Sequence, residues 1–145
     1  MTPRVFPPDL LAIATLFVES RGEPYRGQVC VGEVIRERMR RHIFSDGTVA
    51  GTVFWRRQFS GWEDDNRRSL GSVHADDPAW RSCERAWAES ATSHWAKGAT
   101  HYLNPTLVLA VTGRLPSWAC DPHDVTKLAE ALVTCREGGH VFLKL

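Results

Sequence analysis

The sequence predicts an α+β domain, mainly α-helical, with a small C-terminal β-hairpin. Three observations predict it. Apolar residues recur at helical spacing in the first two-thirds of the chain, between recognisable start and stop signals. The tail from Leu132 to Leu145 instead alternates apolar and polar residues around Gly138-Gly139. The 145 residues suffice for one hydrophobic core, and no repeat or linker divides them, so residues 1–145 read as a single domain.

The elements follow in order. Pro7, Pro8 and Asp9 read as a helix entrance, with Asp9 expected to cap the first N–H groups. Leu10, Ile13, Ala14, Phe17 and Val18 form one stripe, and Gly22 and Pro24 end the helix. Glu19 therefore sits in its last turn. A second helix is expected from about Gly27 to His42, with Val31, Val34, Ile35, Arg38 and Met39 at helical spacing. Residues 44–51 read as loop around Asp46-Gly47, and 58–72 as a long polar surface loop. A third helix starts at Asp76 or Asp77 with Pro78 in its first turn; Trp80, Cys83 and Trp87 read as core. Leu107–Val111 is apolar but too short to assign. A short helix is expected after Asp124.

Composition removes several classes. With 43% hydrophobic and 24% charged residues, the chain is not wholly disordered. No apolar run approaches the roughly 18 residues that span a bilayer, so no integral membrane association is expected. A net charge of +1 gives no general reason to expect nucleic acid. Arg36, Arg38, Arg40 and Arg41 read as a solvated helix face. The apolar run Leu10–Val18 follows two prolines and an aspartate and precedes no small-residue cleavage site, so it does not read as a secretory leader. The chain is expected to be made in a cytoplasm, as a monomer. Cys30, Cys83, Cys120 and Cys135 are then expected as buried free thiols.

The chemistry starts at Glu19. A carboxyl flanked by Leu16, Phe17 and Val18 loses solvation, which raises its pKa and lets it hold a proton near neutrality. Glycosidic cleavage needs such an acid at the leaving oxygen. The competing reading is a plain surface Glu, placed at the unfavourable end of the helix dipole. Ser20 can bond the carboxyl or a sugar acetamido group. Arg21 can bind an anionic substituent or pair with Glu23. Glu23 is a rival catalytic carboxylate, at a separation from Glu19 that the Gly22–Pro24 break leaves open.

The run Glu19-Ser20-Arg21-Gly22-Glu23-Pro24-Tyr25-Arg26-Gly27-Gln28-Val29, continuing from Val31 to Arg38, resembles the opening motif of SleB-type cell wall hydrolases, the spore-cortex-lytic enzyme family. Further elements follow in the family's order. Gln58-Phe59-Ser60 with Trp62 resembles its central motif, and Gly98-Ala99-Thr100-His101-Tyr102-Leu103-Asn104-Pro105 its Gly-Ala-x-x-Tyr-x-Asn-Pro segment. Ser117-Trp118 resembles the later tryptophan element, and Gly138-Gly139-His140-Val141-Phe142 the closing Gly-x-His-x-Phe motif. The likeness runs from about Leu10 to Lys144. Ser20 stands where the family commonly has Ala, and Glu37 where it commonly has Asn before Arg38. Residues 119–131 look longer than the usual closing segment.

The resemblance implies a lysozyme-like domain acting on peptidoglycan glycan strands, with Glu19 as catalytic acid/base. It implies a lytic transglycosylase, cleaving between N-acetylmuramic acid and N-acetylglucosamine and closing a 1,6-anhydro ring without water. A hydrolytic muramidase is the alternative. Ser20, Arg21, Gln28, Gln58, Ser60, Trp62, His101, Tyr102, Asn104 and Trp118 are the expected substrate-binding residues, and Glu23 the possible second carboxylate. No metal and no cofactor are expected. The expected setting is a bacteriophage endolysin, antimicrobial in effect, that reaches the wall after release from the host cytoplasm. Two other classes remain. Cys120-x2-His123 and Cys135-x4-His140 would suit a zinc amidase or peptidase. Six tryptophans would suit a non-catalytic wall-binding module.

Overall fold

The computed structural model describes residues 7–62 and 68–145. Part of the expected 58–72 loop and the first six residues lie outside that range. Helix α1 spans Pro8–Ser20, α2 Tyr25–Arg41, α3 Val49–Val53, α4 Pro78–Ser90 and α5 Pro105–Thr112. Strands β1 His101–Leu103, β4 Val133–Glu137 and β5 His140–Leu143 form one antiparallel sheet in the order β1-β5-β4. Strands β2 Cys120–Asp121 and β3 Asp124–Leu128 form a separate two-stranded ribbon.

The helical stripes become the main core. Leu16 and Phe17 of α1, Val31, Val34 and Ile35 of α2, and Trp80, Cys83 and Trp87 of α4 are buried together. Asp77 caps α4 through the N–H of Ala79, as its sequence signal predicts. Asp9 does not cap α1. The helix begins at Pro8 with Pro7 in the cap position, which puts Asp9 inside the first turn, and its carboxylate accepts the indole N–H of Trp87 at 2.8 Å instead.

The basic run of α2 divides. Arg40 pairs with Glu37 on the surface. Arg38 is buried and donates from Nε to the carbonyl of Thr100 at 2.7 Å, which pins the start of β1 to α2. Arg36 lies over the Trp87 ring, 3.7 Å from its centre, and donates to the Trp87 carbonyl. A guanidinium stacks on aromatics and bonds carbonyls in a way a solvated charge does not. The solvated face therefore begins only beyond Arg38.

The C-terminal hairpin forms around Gly138-Gly139 as expected, but β5 also pairs with β1, with Tyr102 opposite Phe142. Alternation then sorts the side chains. Tyr102, Phe142 and Cys135 face the helical core. Leu103, Val141 and Leu143 face a second cluster with Leu115 and Ala119. The helix expected after Asp124 is strand β3, whose Val125 carbonyl accepts the N–H of Leu115 at 2.8 Å. Both strands of this ribbon lie within 119–131. The unassigned apolar stretch is helix α5, capped by Asn104 and stopped at Gly113 with φ +74°. Among the cysteines Cys30 and Cys83 are buried, while Cys120 and Cys135 are half-buried; all four are free. The neighbouring Cys135 thiol, together with burial, raises the pKa of Cys30.

Candidate active site

Helix α1 ends one residue after Glu19, and the chain reverses through 21–24 into α2. A helix C-terminus leaves carbonyls without partners. Ser20 O accepts the Glu23 N–H at 2.9 Å, and Gln28 of α2 adds its amide nitrogen, which donates to Ser20 O at 3.2 Å and to Glu23 O in the bend at 3.3 Å. Its amide oxygen accepts Ser82 Oγ at 2.7 Å, which ties the bend to α4. Gln28 is buried and fully used, so it shapes the bend rather than binding a sugar.

The bend presents Glu19 half-buried, between two donors from distant parts of the chain. Gly61 N–H donates to Oε1 at 2.7 Å. Tyr102 O–H donates to Oε2 at 3.3 Å. The first contact requires glycine. A Cβ at position 61 would stand 2.1 Å from Val18 Cγ2 and 2.8 Å from Val18 Cβ. The enclosing wall is thus Gly61, Val18 and Tyr102. Leu16 and Phe17 point into the core, because successive helix residues do not share a face.

Burial around the Tyr102 hydroxyl, reinforced by the nearby Glu19 carboxylate, pushes its pKa well above 10. Tyr102 therefore stays protonated across the range in which proteins usually work. Being both donor and acceptor, its hydroxyl can follow a change in Glu19 protonation. The Gly61 N–H can only donate, so it favours Oε1 as acceptor and leaves Oε2 to carry a mobile proton.

The other expected site residues divide. Ser20 is buried and donates back to Leu16 O at 2.7 Å, a helix-internal bond that takes it away from Glu19. Arg21 is exposed, its guanidinium 4.9 Å from the centre of the Phe17 ring. Glu23 turns to the hairpin, not to Arg21: Oε2 accepts Gly139 N–H at 3.0 Å. Gln58 is half-buried and Ser60 exposed, both beside Gly61. Trp62 donates its indole N–H to Thr15 Oγ1 at 2.9 Å and packs edge-on against Phe54. It borders an apolar cavity of about 840 Å³ toward the N-terminal half of α1; Glu19 and Tyr102 do not line it.

His101 is buried, its Nδ1 paired with Thr100 Oγ1 at 2.9 Å. Strand alternation puts it opposite Tyr102, and Trp118 packs on it at 4.9 Å between ring centres. Both therefore belong to the other side of β1 from Glu19. Burial, with the nearby Arg38 charge, lowers the His101 pKa to about 4. Asn104 uses its side-chain oxygen to accept Leu107 N–H at 3.0 Å, which fixes the turn into α5. The candidate zinc ligands are not brought together. Cys135 faces Cys30 and His140 faces Glu23, and among the described residues no group of His, Cys, Asp and Glu converges as a metal site.

Gly61 carries no distinguishing signal in the sequence. It stands between Ser60 and Trp62, where a larger residue would have been equally compatible with a surface loop.

The model of the Cell Wall Hydrolase family matches residues 22–133, and the chain belongs to that family. Glu19 lies just before the matched stretch. The spore cortex-lytic enzyme of Oceanobacillus iheyensis is 33% identical over 90 residues, 55% of this chain and 32% of that protein. That of Bacillus cereus is 32% identical over 90 residues, 55% of this chain and 34% of that protein. The chain thus spans about a third of the length of the curated relatives it matches. Among solved structures, it is similar to the catalytic domain of the germination-specific lytic transglycosylase SleB from Bacillus anthracis. The TM-score is 0.63 at 22% identity, covering 99% of this chain and 100% of that one. The SleB catalytic domain of Bacillus cereus matches with the same score and identity, covering 99% and 95%. The fold is lysozyme-like, as the motif order implied.

Two outcomes are expected. Gly61→Ala should displace the N–H from Glu19 and cut glycan release from purified peptidoglycan on the order of a hundredfold to a thousandfold, the scale of losing one fixed donor. Val18→Ala in the same chain should restore part of that loss, by removing the methyl groups nearest the new Cβ. The second concerns tyrosine. The chain has two, and burial, with a hydrogen bond to Glu89, pushes Tyr25 to about 12 while Tyr102 also lies well above 10. Both folded values exceed the unfolded value of 10, so their contribution to stability is full below pH 10. It is lost as pH rises through about 12. Ultraviolet titration should show almost no tyrosinate in the folded protein at pH 10 and half ionisation in denaturant.

Proposed function

We propose that the chain is a lytic transglycosylase of peptidoglycan, cleaving between N-acetylmuramic acid and N-acetylglucosamine, with Glu19 as acid and then base. The observation that carries this reading is the half-buried Glu19 carboxylate with Gly61 N–H at 2.7 Å and Tyr102 O–H at 3.3 Å. Membership of the cell wall hydrolase family supports peptidoglycan as substrate. The Bacillus anthracis SleB domain, which shares the fold, is a germination-specific lytic transglycosylase, and this supports the transglycosylase outcome.

The steps balance without water. Protonated Glu19 gives its proton to the bridging oxygen as the bond to C1 of the muramic acid breaks. The electron pair leaves with that oxygen, and positive charge develops on the sugar ring. The new Glu19 carboxylate is stabilised by Gly61 N–H and Tyr102 O–H, which need no reorganisation at that moment. It then takes the proton of the muramic acid 6-hydroxyl as O6 bonds to C1. Glu19 is thereby reprotonated, and a 1,6-anhydro end is released.

Gln58 and Ser60, beside the Gly61 turn, and the exposed Arg21 are the proposed sugar contacts. For setting, we propose a phage-borne lysin that acts on the wall after release. Lysis of an expressing host only once its inner membrane is permeabilised is the expected behaviour, and lysis without permeabilisation would count against it.

Mass spectrometry of digested peptidoglycan, with Glu19→Gln alongside, tests the chemistry. Fragments one water lighter than muramidase products, absent with Glu19→Gln, are expected. Reducing-end muramic acid would make the enzyme a hydrolytic muramidase. Release of the same fragments by Glu19→Gln would remove Glu19 from the chemistry.

A further inference from the structure

Glu23 lies four residues beyond Glu19, yet its carboxylate faces protein on both oxygens. Its side chain is 18% exposed. Oε2 accepts Gly139 N–H at 3.0 Å, and Oε1 lies 3.9 Å from His140 Nε2. The hairpin turn is shaped around it. A Cβ on Gly138 would stand 2.2 Å from Glu23 Oε2 and 2.6 Å from Pro24 Cδ. One on Gly139 would stand 3.3 Å from Glu23 Oε1 and 2.9 Å from Asn104 Nδ2. The two glycines therefore let the β4–β5 turn lie flush on the bend that follows Glu19.

His140 carries the contact onward. Its ring centre is 5.0 Å from that of Tyr102, whose hydroxyl reaches Glu19. Strand β1 is only three residues long and lies at the sheet edge, so its ladder to β5 sets where Tyr102 stands. β5 begins at His140, and the turn before it is fixed on Glu23. His140 Nδ1 is buried with no hydrogen-bond partner, and the ring sits against Tyr102 and Phe142. An apolar residue would fill that space without leaving a ring nitrogen unpaired. What the imidazole adds is a polar edge directed at Glu23.

We propose that Glu23 and His140 are positioning residues that hold Tyr102 against Glu19, and that Glu23 does not act on the sugar. The inference rests on the reading of Glu19 as the acid. It gives the second carboxylate of the motif a definite task, exerted through the hairpin.

A double-mutant cycle tests it. kcat and KM on purified peptidoglycan are measured for wild type, Glu23→Gln, Tyr102→Phe and the pair together, with melting temperatures alongside. Gln keeps an acceptor for Gly139 N–H and loses the charge facing His140. Glu23→Gln should lower kcat about three- to tenfold with KM unchanged, and should cost less than about twofold when Tyr102→Phe is already present. The ratio of anhydro to reducing ends should not change. His140→Phe, which keeps the ring and loses the polar edge, should behave as Glu23→Gln does in both backgrounds. It supplies the reading if Glu23→Gln does not fold.

Equal losses from Glu23→Gln with and without Tyr102→Phe would overturn the proposal. So would a loss beyond about a thousandfold, the scale of a directly acting carboxylate, or a change in product ends. Wild type that releases no glycan fragments would refute the reading of Glu19. Wild-type cleavage with additive losses would refute the positioning role alone.

Discussion

The carboxylate of Glu19 is approached from two sides by donors that only the folded chain can bring together, and the rest of the structure serves that meeting. Gly61 comes from the turn after Phe59, and Tyr102 from a short edge strand. Neither donor is close to Glu19 in sequence. Each is fixed by a separate device. Gly61 approaches because it has no side chain to strike Val18. Tyr102 is set by β5 on one side, and at the start of its strand by Arg38, which holds the Thr100 carbonyl.

The placement works against the helix dipole. Glu19 is at the C-terminal end of α1, where negative charge is disfavoured. Gln28 offsets part of that cost by adding an amide donor to the carbonyl of Ser20, the last residue of α1, and to that of Glu23 in the bend. Gly61 N–H and Tyr102 O–H offset the rest at the carboxylate itself. This division of labour explains why the buried polar residues of the region, Gln28 and Ser20, face the backbone rather than solvent.

Much of this is legible in the sequence. The α1 stripe with its Gly22 and Pro24 stop puts Glu19 in the final turn, and Asp77-Pro78 marks the start of α4. The hairpin at Gly138-Gly139 follows from alternation. What a sequence does not display is which distant segments meet. The β1–β5 pairing is hidden because three residues are too few to show a period. The same gap makes His101 and Trp118 look like companions of Tyr102, although alternation places them on the opposite side. Ser20 and Gln28 look like ligands because polar residues near a candidate catalytic carboxyl invite that reading. Ser20 instead bonds back into its own helix, and Gln28 bonds the backbone of the bend. Arg36 and Arg38 mislead for a related reason: periodicity identifies a charged residue, not the aromatic ring or carbonyl that will accept it.

The most direct test of the account is a crystal structure of Glu19→Gln with a peptidoglycan glycan fragment bound across the cleavage site. The account predicts the bridging oxygen within hydrogen-bond reach, about 3 Å, of the residue-19 amide on the side facing Tyr102. Gly61 N–H should still hold the other side. A fragment seated in the apolar cavity beside Trp62, or one whose bridging oxygen lies beyond reach of residue 19, would contradict it.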